Sequence, residues 1–133
     1  MRIVFDTNVL IAALISRGFC YEVFEYCALS HEIITSDFIL DEVSEKLVTK
    51  FKFTEDTAKE VVNLLRSQLQ SVGPITLPTS VSRDLDDDNI LAAAEAGKCD
   101  YIITGDKDLL VLKEFNAIRI VTPREFSDLE KSD

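Results

Sequence analysis

The sequence predicts an α/β domain of three layers, in which a central parallel sheet of about five strands lies between two layers of helices. Short apolar segments alternate with amphipathic segments along the chain, an order typical of parallel strands joined by helices. The first segment, Ile3-Val4-Phe5, is apolar without alternation, as expected of a strand that is buried on both faces. Because 47% of the 133 residues are hydrophobic, we expect residues 1–133 to form one domain with one core.

The other elements follow from local patterns. Apolar residues at helical spacing predict helices at 9–15, 19–29, 37–47, 54–70 and 107–112, and an alanine-rich run predicts one more at 89–96. Further strands are predicted at 32–35, 75–77, 101–104 and 118–121, and the pattern at 75–77 is the weakest. Thr122-Pro123-Arg124-Glu125 is a capping box with proline at the first helical position, so it predicts a short closing helix.

The composition limits the classes of partner. The chain has 14 basic and 24 acidic residues, for a net charge of −10. Such a surface does not favour broad binding of duplex nucleic acid, but it allows a local basic rim and suits a pocket that attracts divalent cations. One histidine and three irregularly spaced cysteines argue against a zinc site and for a reducing compartment. Since no apolar stretch has the length of a membrane span, we expect a cytoplasmic protein without a membrane partner.

Acidic residues recur where the predicted strands end. Asp6 ends the first strand and Asp106 follows the fourth, and parallel strands place their carboxyl ends along one rim. Glu42 lies in the first turns of the helix after the second strand, and Asp88 begins the alanine-rich helix. Two unit charges 4 Å apart repel by roughly 4 kcal/mol at an effective dielectric of 20, so four carboxylates in one cleft require a counter-charge. Oxygen ligands select hard cations, which indicates Mg²⁺ or Mn²⁺.

Simpler roles stay open for each of these residues. Asp6 can cap the helix that follows it, and the acidic run at 84–88 can be a solvated loop that supplies helix caps. On a helical wheel, Glu42 lies beside the apolar face of its helix and Asp41 lies closer to solvent, which favours Glu42 as the site residue.

Four segments together resemble the PIN domain family of metal-dependent ribonucleases, and particularly its toxin-like members from prokaryotic toxin–antitoxin pairs. They occur in the order in which the family has them and span most of the chain. The segments are Val4-Phe5-Asp6-Thr7-Asn8, Asp41-Glu42-Val43 with Leu47, Asp88-Asn89-Ile90-Leu91-Ala92-Ala93-Ala94, and Ile103-Thr104-Gly105-Asp106-Lys107-Asp108.

The resemblance assigns roles to individual residues. It implies that four acidic residues are both catalytic and metal-binding, with Mg²⁺ or Mn²⁺ as cofactor: Asp6, Glu42, Asp88 and Asp106. Supporting residues, which hold carboxylates or water in place, would be Asn8, Thr104, Asp108 and one of Asp86 and Asp87. The acidic run leaves open whether Asp87 or Asp88 is the metal ligand.

The resemblance also implies a reaction and partners. The usual reaction of the family is hydrolysis of single-stranded RNA by metal-activated water, which leaves a 3′-hydroxyl and a 5′-phosphate. The expected partners are an antitoxin protein and a second copy of the chain in a homodimer. A basic rim for the RNA would depend on a few lysines, namely Lys46, Lys50, Lys52 and Lys107.

Two other functions compete with this hypothesis. One is a PIN-like protein that binds RNA or acts as a scaffold without catalysis. The other is a metal-dependent phosphatase of another α/β family, in which Asp6 would be the nucleophile. The haloacid dehalogenase-like pattern requires Asp-x-Asp, and Asp6-Thr7-Asn8 lacks the second aspartate.

Overall fold

The computed structural model describes residues 1–73 and 85–131, and for residues 85 and 86 the backbone alone. The predicted strand at 75–77 and the Asp86 side chain therefore lie outside the described residues. The described elements are, in order, β1 (Arg2–Phe5), α1 (Thr7–Ile15), α2 (Phe19–Ser30), β2 (Glu32–Ser36), α3 (Asp37–Thr49), α4 (Glu55–Gln68), β3 (Gln70–Val72), α5 (Leu85–Ala96), β4 (Tyr101–Ile103), α6 (Lys107–Leu110), β5 (Glu114–Phe115), β6 (Ile118–Val121) and α7 (Pro123–Lys131).

These strands form one sheet with β1 near its centre. The order is β3-β2-β1-β4-β6-β5, with parallel pairing throughout except between β5 and β6. Ile3, Val4 and Phe5 of β1 are at most 1% exposed, as predicted for a strand covered on both faces. The predicted α/β fold with a mostly parallel sheet is confirmed.

The helices divide into two groups around the sheet. Helix α1 contacts both α2 and α3, and α3 contacts α4, whereas α5 lies directly on β1, β2 and β4. The chain moves outward from β1 to β3 and then crosses back over the sheet to β4. Because right-handed crossovers in opposite directions place their helices on opposite faces, α5 covers the other face of the sheet from α1 to α4.

The ends of β1 and β4 are locked together at the carboxyl rim of the sheet. Phe5 of β1 pairs with Ile103 of β4, and the Asp6 N–H donates to the Ile103 carbonyl oxygen at 3.0 Å. The Thr104 N–H in turn donates to the carbonyl oxygen of Val121 in β6 at 2.9 Å. Residues that follow β1 and β4 are therefore held side by side, as the site hypothesis requires.

Two features of the sheet were not predicted. The strand at Gln70–Val72 begins where the sequence pattern still continued the preceding helix, and the short strand at Glu114–Phe115 was missed. The latter pairs antiparallel with β6 through a two-residue turn, Asn116-Ala117, whose φ angles are 49° and 68°. Turns of this kind favour glycine at the second position. Because this chain has alanine there, the sequence does not indicate a hairpin.

No single helix among the described residues has the length and apolar character needed to cross a membrane. Helices α1 and α2, bent by 103° relative to each other, meet that test only as a pair and by length and composition alone. Both helices contribute residues to the hydrophobic core, among them Leu10 and Val23.

Gly97 allows α5 to approach β2 closely. A Cβ at this position would lie 2.6 Å from Cγ2 of Ile34 and 3.3 Å from the Ala93 carbonyl oxygen. Gly97→Ala is therefore expected to lower the free energy of unfolding by about 1–3 kcal/mol, the usual cost of overpacking, in a denaturant titration. Gly105→Ala is the matched control, because its Cβ meets nothing within 4 Å. Equal effects of the two substitutions would contradict this account.

Ala117 has a left-handed backbone conformation, which costs any residue with a Cβ atom roughly 1–2 kcal/mol. Ala117→Gly is expected to raise the free energy of unfolding by about 1 kcal/mol, because glycine removes that strain. Ala12→Gly, within α1, is the control and is expected to lower it by about 0.5–1 kcal/mol. A loss of stability in both variants would show that the turn is not strained.

Candidate active site

Asp6 has a structural role and a place in the site at once. Its side chain is only 5% exposed, and Oδ1 accepts a hydrogen bond from the Val9 N–H at 2.8 Å, which caps α1. The other oxygen, Oδ2, accepts a hydrogen bond from the Thr104 hydroxyl. Burial raises the pKa of Asp6 above its ordinary value, and the charge of Asp106 raises it further, whereas the bonds from Thr104 and Val9 oppose the rise.

Thr104 connects the acidic residues at the ends of β1 and β4. Its side chain is fully buried, and its hydroxyl donates to Asp6 while accepting a hydrogen bond from the Asp106 N–H at 3.0 Å. Asp106 then caps α6, since its Oδ1 accepts from the Asp108 N–H at 2.8 Å. One hydroxyl therefore holds both the carboxylate of Asp6 and the backbone of Asp106, two residues that are 100 positions apart in sequence.

Four acidic residues come together at this rim. Asp6, Glu42, Asp87 and Asp106 line a cleft of about 60 Å³, together with Thr7, Asn8, Lys46 and Ile90. Glu42 projects from α3, and its carboxylate accepts a hydrogen bond from the Thr7 hydroxyl. Residues from α1, α3 and α5, and those that directly follow β1 and β4, thus meet at one place.

Three carboxylates of this site are close enough to share a cation. Asp87, Asp106 and Asp108 each offer an oxygen, and these oxygens lie within 4.8 Å of one another. Such oxygen-only donors fit a hard divalent cation such as Mg²⁺ or Mn²⁺.

Three acidic residues of the cleft lie outside the ion pairs that the structure describes within residues 1–73 and 85–131. Those ion pairs include Arg2–Glu32, His31–Glu130 and Arg66–Asp37, and they involve neither Asp6, Glu42 nor Asp106. Asp6 is a buried carboxylate, and a bound divalent cation would lower the cost of its charge.

The sequence left open whether Asp87 or Asp88 of the acidic run belongs to the site. Asp87 is 6% exposed and lines the cleft, while Asp88, half-buried, lies beside it at the start of α5. Asp108, predicted as a supporting residue, belongs to the cluster of three carboxylates itself. The choice between Asp87 and Asp88 as a ligand stays a prediction, and the geometry favours Asp87.

The four lysines of the predicted basic rim do not occupy equivalent positions. Lys46 lies one helical turn after Glu42, lines the cleft, and donates from Nζ to Asn8 Oδ1 at 3.1 Å. Lys50 ends α3, Lys52 follows it, and Lys107 lies exposed next to Asp106. Of the four, Lys46 is the one that the cleft includes.

Sequence reasoning did not identify Thr7 as a functional residue. Thr7 is 3% exposed and holds the Glu42 carboxylate, so it positions the contribution of α3 to the cleft. Its adjacency to Asp6 was a signal that it lies at the rim. That signal could not show that Thr7 contacts Glu42, because Thr7 and Glu42 are 35 positions apart in sequence.

Comparison with known proteins identifies the family. Residues 2–108 match the family model of the PIN domain. The chain belongs to the PIN domain family. An uncharacterized protein of Methanocaldococcus jannaschii is 30% identical over 141 residues, which cover 95% of this chain and 89% of that protein. Membership in the PIN family removes the basis for a phosphatase of another α/β family.

Solved structures with similar folds confirm the PIN architecture. VapBC2 of Rickettsia felis, bound to a promoter DNA fragment, has a TM-score of 0.63 at 14% identity over 90% of this chain and 97% of that chain. VapC20 of Mycobacterium tuberculosis, a sarcin–ricin loop cleaving toxin, has a TM-score of 0.61 at 14% identity over 88% and 98%. DNA-bound VapBC of Salmonella typhimurium has a TM-score of 0.63 at 16% identity over 92% and 98%. At these identities the likeness shows the fold.

The raised pKa of Asp6 predicts how the metal-free PIN domain responds to substitution and to pH. A carboxyl whose pKa is higher in the folded state than in the unfolded state destabilises the fold as pH rises through that range. In EDTA, Asp6→Asn is therefore expected to melt a few degrees above the wild type at pH 7. For a domain of this length, a change of roughly 1 kcal/mol in the free energy of unfolding shifts the melting temperature by about 3–5 °C. The difference in melting temperature between Asp6→Asn and the wild type should shrink as pH falls toward the ordinary pKa of aspartate.

Asp6→Ala is the control for the helix cap. Asparagine can still accept the hydrogen bond from Val9, whereas alanine cannot, so the alanine variant should lose about 0.5–2 kcal/mol of capping. Melting curves followed by circular dichroism measure both variants. An asparagine variant that melts below the wild type at every pH would mean that ionised Asp6 stabilises the metal-free fold.

Proposed function

We propose that this PIN domain is an Mg²⁺- or Mn²⁺-dependent endoribonuclease that hydrolyses phosphodiester bonds of single-stranded RNA, and that it is the cytoplasmic toxin of a toxin–antitoxin pair. The observation that carries the proposal is the convergence of Asp6, Glu42, Asp87 and Asp106 on one cleft at the carboxyl rim of a PIN-family sheet. VapC20, a protein of the same fold, is named as a sarcin–ricin loop cleaving toxin, which supports a toxin that acts by cleavage.

Each residue of the cleft has a role in this proposal. Asp87, Asp106 and Asp108 would hold the cation, with Asp6 and Glu42 lining the same cleft. A bound divalent cation would supply Lewis-acid activation of the phosphodiester and of the attacking water. Thr104 and Thr7 hold the Asp6 and Glu42 carboxylates by hydrogen bonds, and Thr104 also accepts from the Asp106 N–H, so these residues need little rearrangement when a cation binds.

Lys46 would balance the charge of the substrate. Its ammonium group borders the cleft and is held by Asn8, so it is placed to neutralise a phosphate next to the scissile one. Lys107 is exposed and follows Asp106 at the start of α6, and Lys50 lies farther along the chain, at the end of α3. We assign the nearest phosphate contact to Lys46 and more distant contacts to the other two.

An antitoxin and a second copy of the chain are the proposed protein partners. Two structures of the same fold are VapBC assemblies, which supports an antitoxin partner. Large apolar side chains on α1 and α2 are available for protein contacts, since Leu14, Ile15, Tyr26 and Leu29 are 36–83% exposed.

Substitution of the clustered carboxylates tests the nuclease proposal. Asp106→Asn and Asp87→Asn are each expected to slow Mn²⁺-dependent cleavage by about 100-fold or more, since changing even a residue that only supports a ligand costs about 10- to 100-fold. Single-turnover cleavage of end-labelled single-stranded RNA, with Mn²⁺ or with EDTA, measures the effect. Glu60→Gln, an exposed residue of α4, is the control for purification and for loss of one charge.

Asp88→Asn, measured alongside, decides which residue of the acidic run is required. Loss of cleavage in Asp88→Asn with full activity in Asp87→Asn would restore the assignment made from the sequence. If the wild type gains thermal stability with Mn²⁺ yet leaves every RNA intact, the site is a metal site without nuclease activity, and the scaffold alternative replaces the proposal.

A further inference from the structure

A second groove adjoins the acidic cleft on the side of α3. It has a volume of about 300 Å³ and shares Glu42, Lys46 and Ile90 with the cleft, so the two form one continuous depression. Phe38 lies on its wall in the first turn of α3 and is 61% exposed. Phe38 and Glu42 are four positions apart on the helix, so they lie on the same face, one turn apart.

The polar lining of this groove is unsuited to phosphate. Asp41, Glu42 and Glu45 place three carboxylates around it, and among the described residues that line it Lys46 is the one cation. A phosphate inside the groove would be repelled, whereas amino and imino groups on the edge of a base would find acceptors in these carboxylates. Asn89, also in the lining, offers both a donor and an acceptor.

We propose that this groove is a nucleobase subsite of the RNA substrate, in which a base next to the scissile phosphate stacks on Phe38. The inference rests on the proposed nuclease function and adds a recognition element to it. Unstacked bases of single-stranded RNA are commonly bound by aromatic stacking together with hydrogen bonds to their edges. With Lys46 between groove and cleft, the backbone phosphate stays at the lysine while the base enters the groove.

The carboxylates predict which bases the groove accepts. Adenine, cytosine and guanine carry exocyclic amino groups that donate hydrogen bonds. Uracil has no amino group, and its one imino N–H on that edge lies between two carbonyl oxygens that carboxylates would repel. A groove whose acceptors are Asp41 and Glu45 therefore favours amino-bearing bases over uracil. Replacing both carboxylates, in Asp41→Asn with Glu45→Gln, should reduce that preference while leaving the stacking contribution of Phe38.

The test measures binding separately from cleavage. Fluorescence anisotropy with labelled oligo(A), oligo(C) and oligo(U), in Ca²⁺ or EDTA, should show about 5- to 100-fold weaker binding of the amino-bearing oligomers by Phe38→Ala, the range expected for loss of one base–aromatic stack. Phe38→Trp should restore binding. Phe51→Ala is the matched control, because Phe51 is an exposed phenylalanine beyond the end of α3 and outside the groove.

A spectroscopic measurement separates stacking from a loss of fold. RNA that contains 2-aminopurine should lose fluorescence on binding to the wild type and to Phe38→Trp, but not on binding to Phe38→Ala. Equal affinities and equal quenching for the wild type, Phe38→Ala and Phe51→Ala would overturn the subsite, even if the wild type cleaves RNA. Binding that depends on Phe38 without any cleavage would uphold the subsite and reject the nuclease, and a wild type that binds no RNA would reject both.

Discussion

The arrangement of the site depends on the hydroxyl of Thr104. Because this side chain is fully buried, its hydrogen-bonding capacity must be met within the protein, and it donates to Asp6 and accepts from the backbone of Asp106. The bond from Asp106 is local, whereas the bond to Asp6 is made across β1 and β4, which are neighbours in the register that pairs Phe5 with Ile103. The order of the strands therefore also determines how close Asp6 lies to Asp106, because both residues bond to the Thr104 hydroxyl.

Asp6 shows how the fold tolerates a site that opposes its own stability. Burial and the nearby charge of Asp106 raise its pKa, which is the direction expected when the ionised form is disfavoured. Yet the same carboxylate caps α1, so removing it completely also removes a helix cap. The simple capping role and the site role are thus both present, and each accounts for a different oxygen of the side chain.

The sequence was sufficient for most elements and for the position of the rim, because buried parallel strands and helix caps have strong local patterns and their carboxyl ends must meet. The sequence was insufficient where two neighbouring residues of a helix compete for one position in the site. Asp87 and Asp88 differ by about 100° around α5, and both suit the first turn of a helix, so only packing distinguishes them. The Thr7–Glu42 contact and the short strand at Glu114–Phe115 depend on tertiary approach and on an unfavourable alanine in a turn, and neither has a local signal.

A net charge of −10 opposes the binding of a polyanion, and the positions of the charges offer the proposed nuclease a solution. The overall field weakens association with long nucleic acid, so the proposed recognition of RNA would come from short-range contacts at the rim. Lys46 supplies positive charge where the cleft and the groove meet, and the acidic cluster would attract RNA only with a divalent cation bound. In the proposed base subsite, the remaining carboxylates would repel phosphate and accept hydrogen bonds from bases. Backbone and bases would thereby be directed to different parts of one depression, so an acidic surface could select a single-stranded substrate whose bases are free to turn inward.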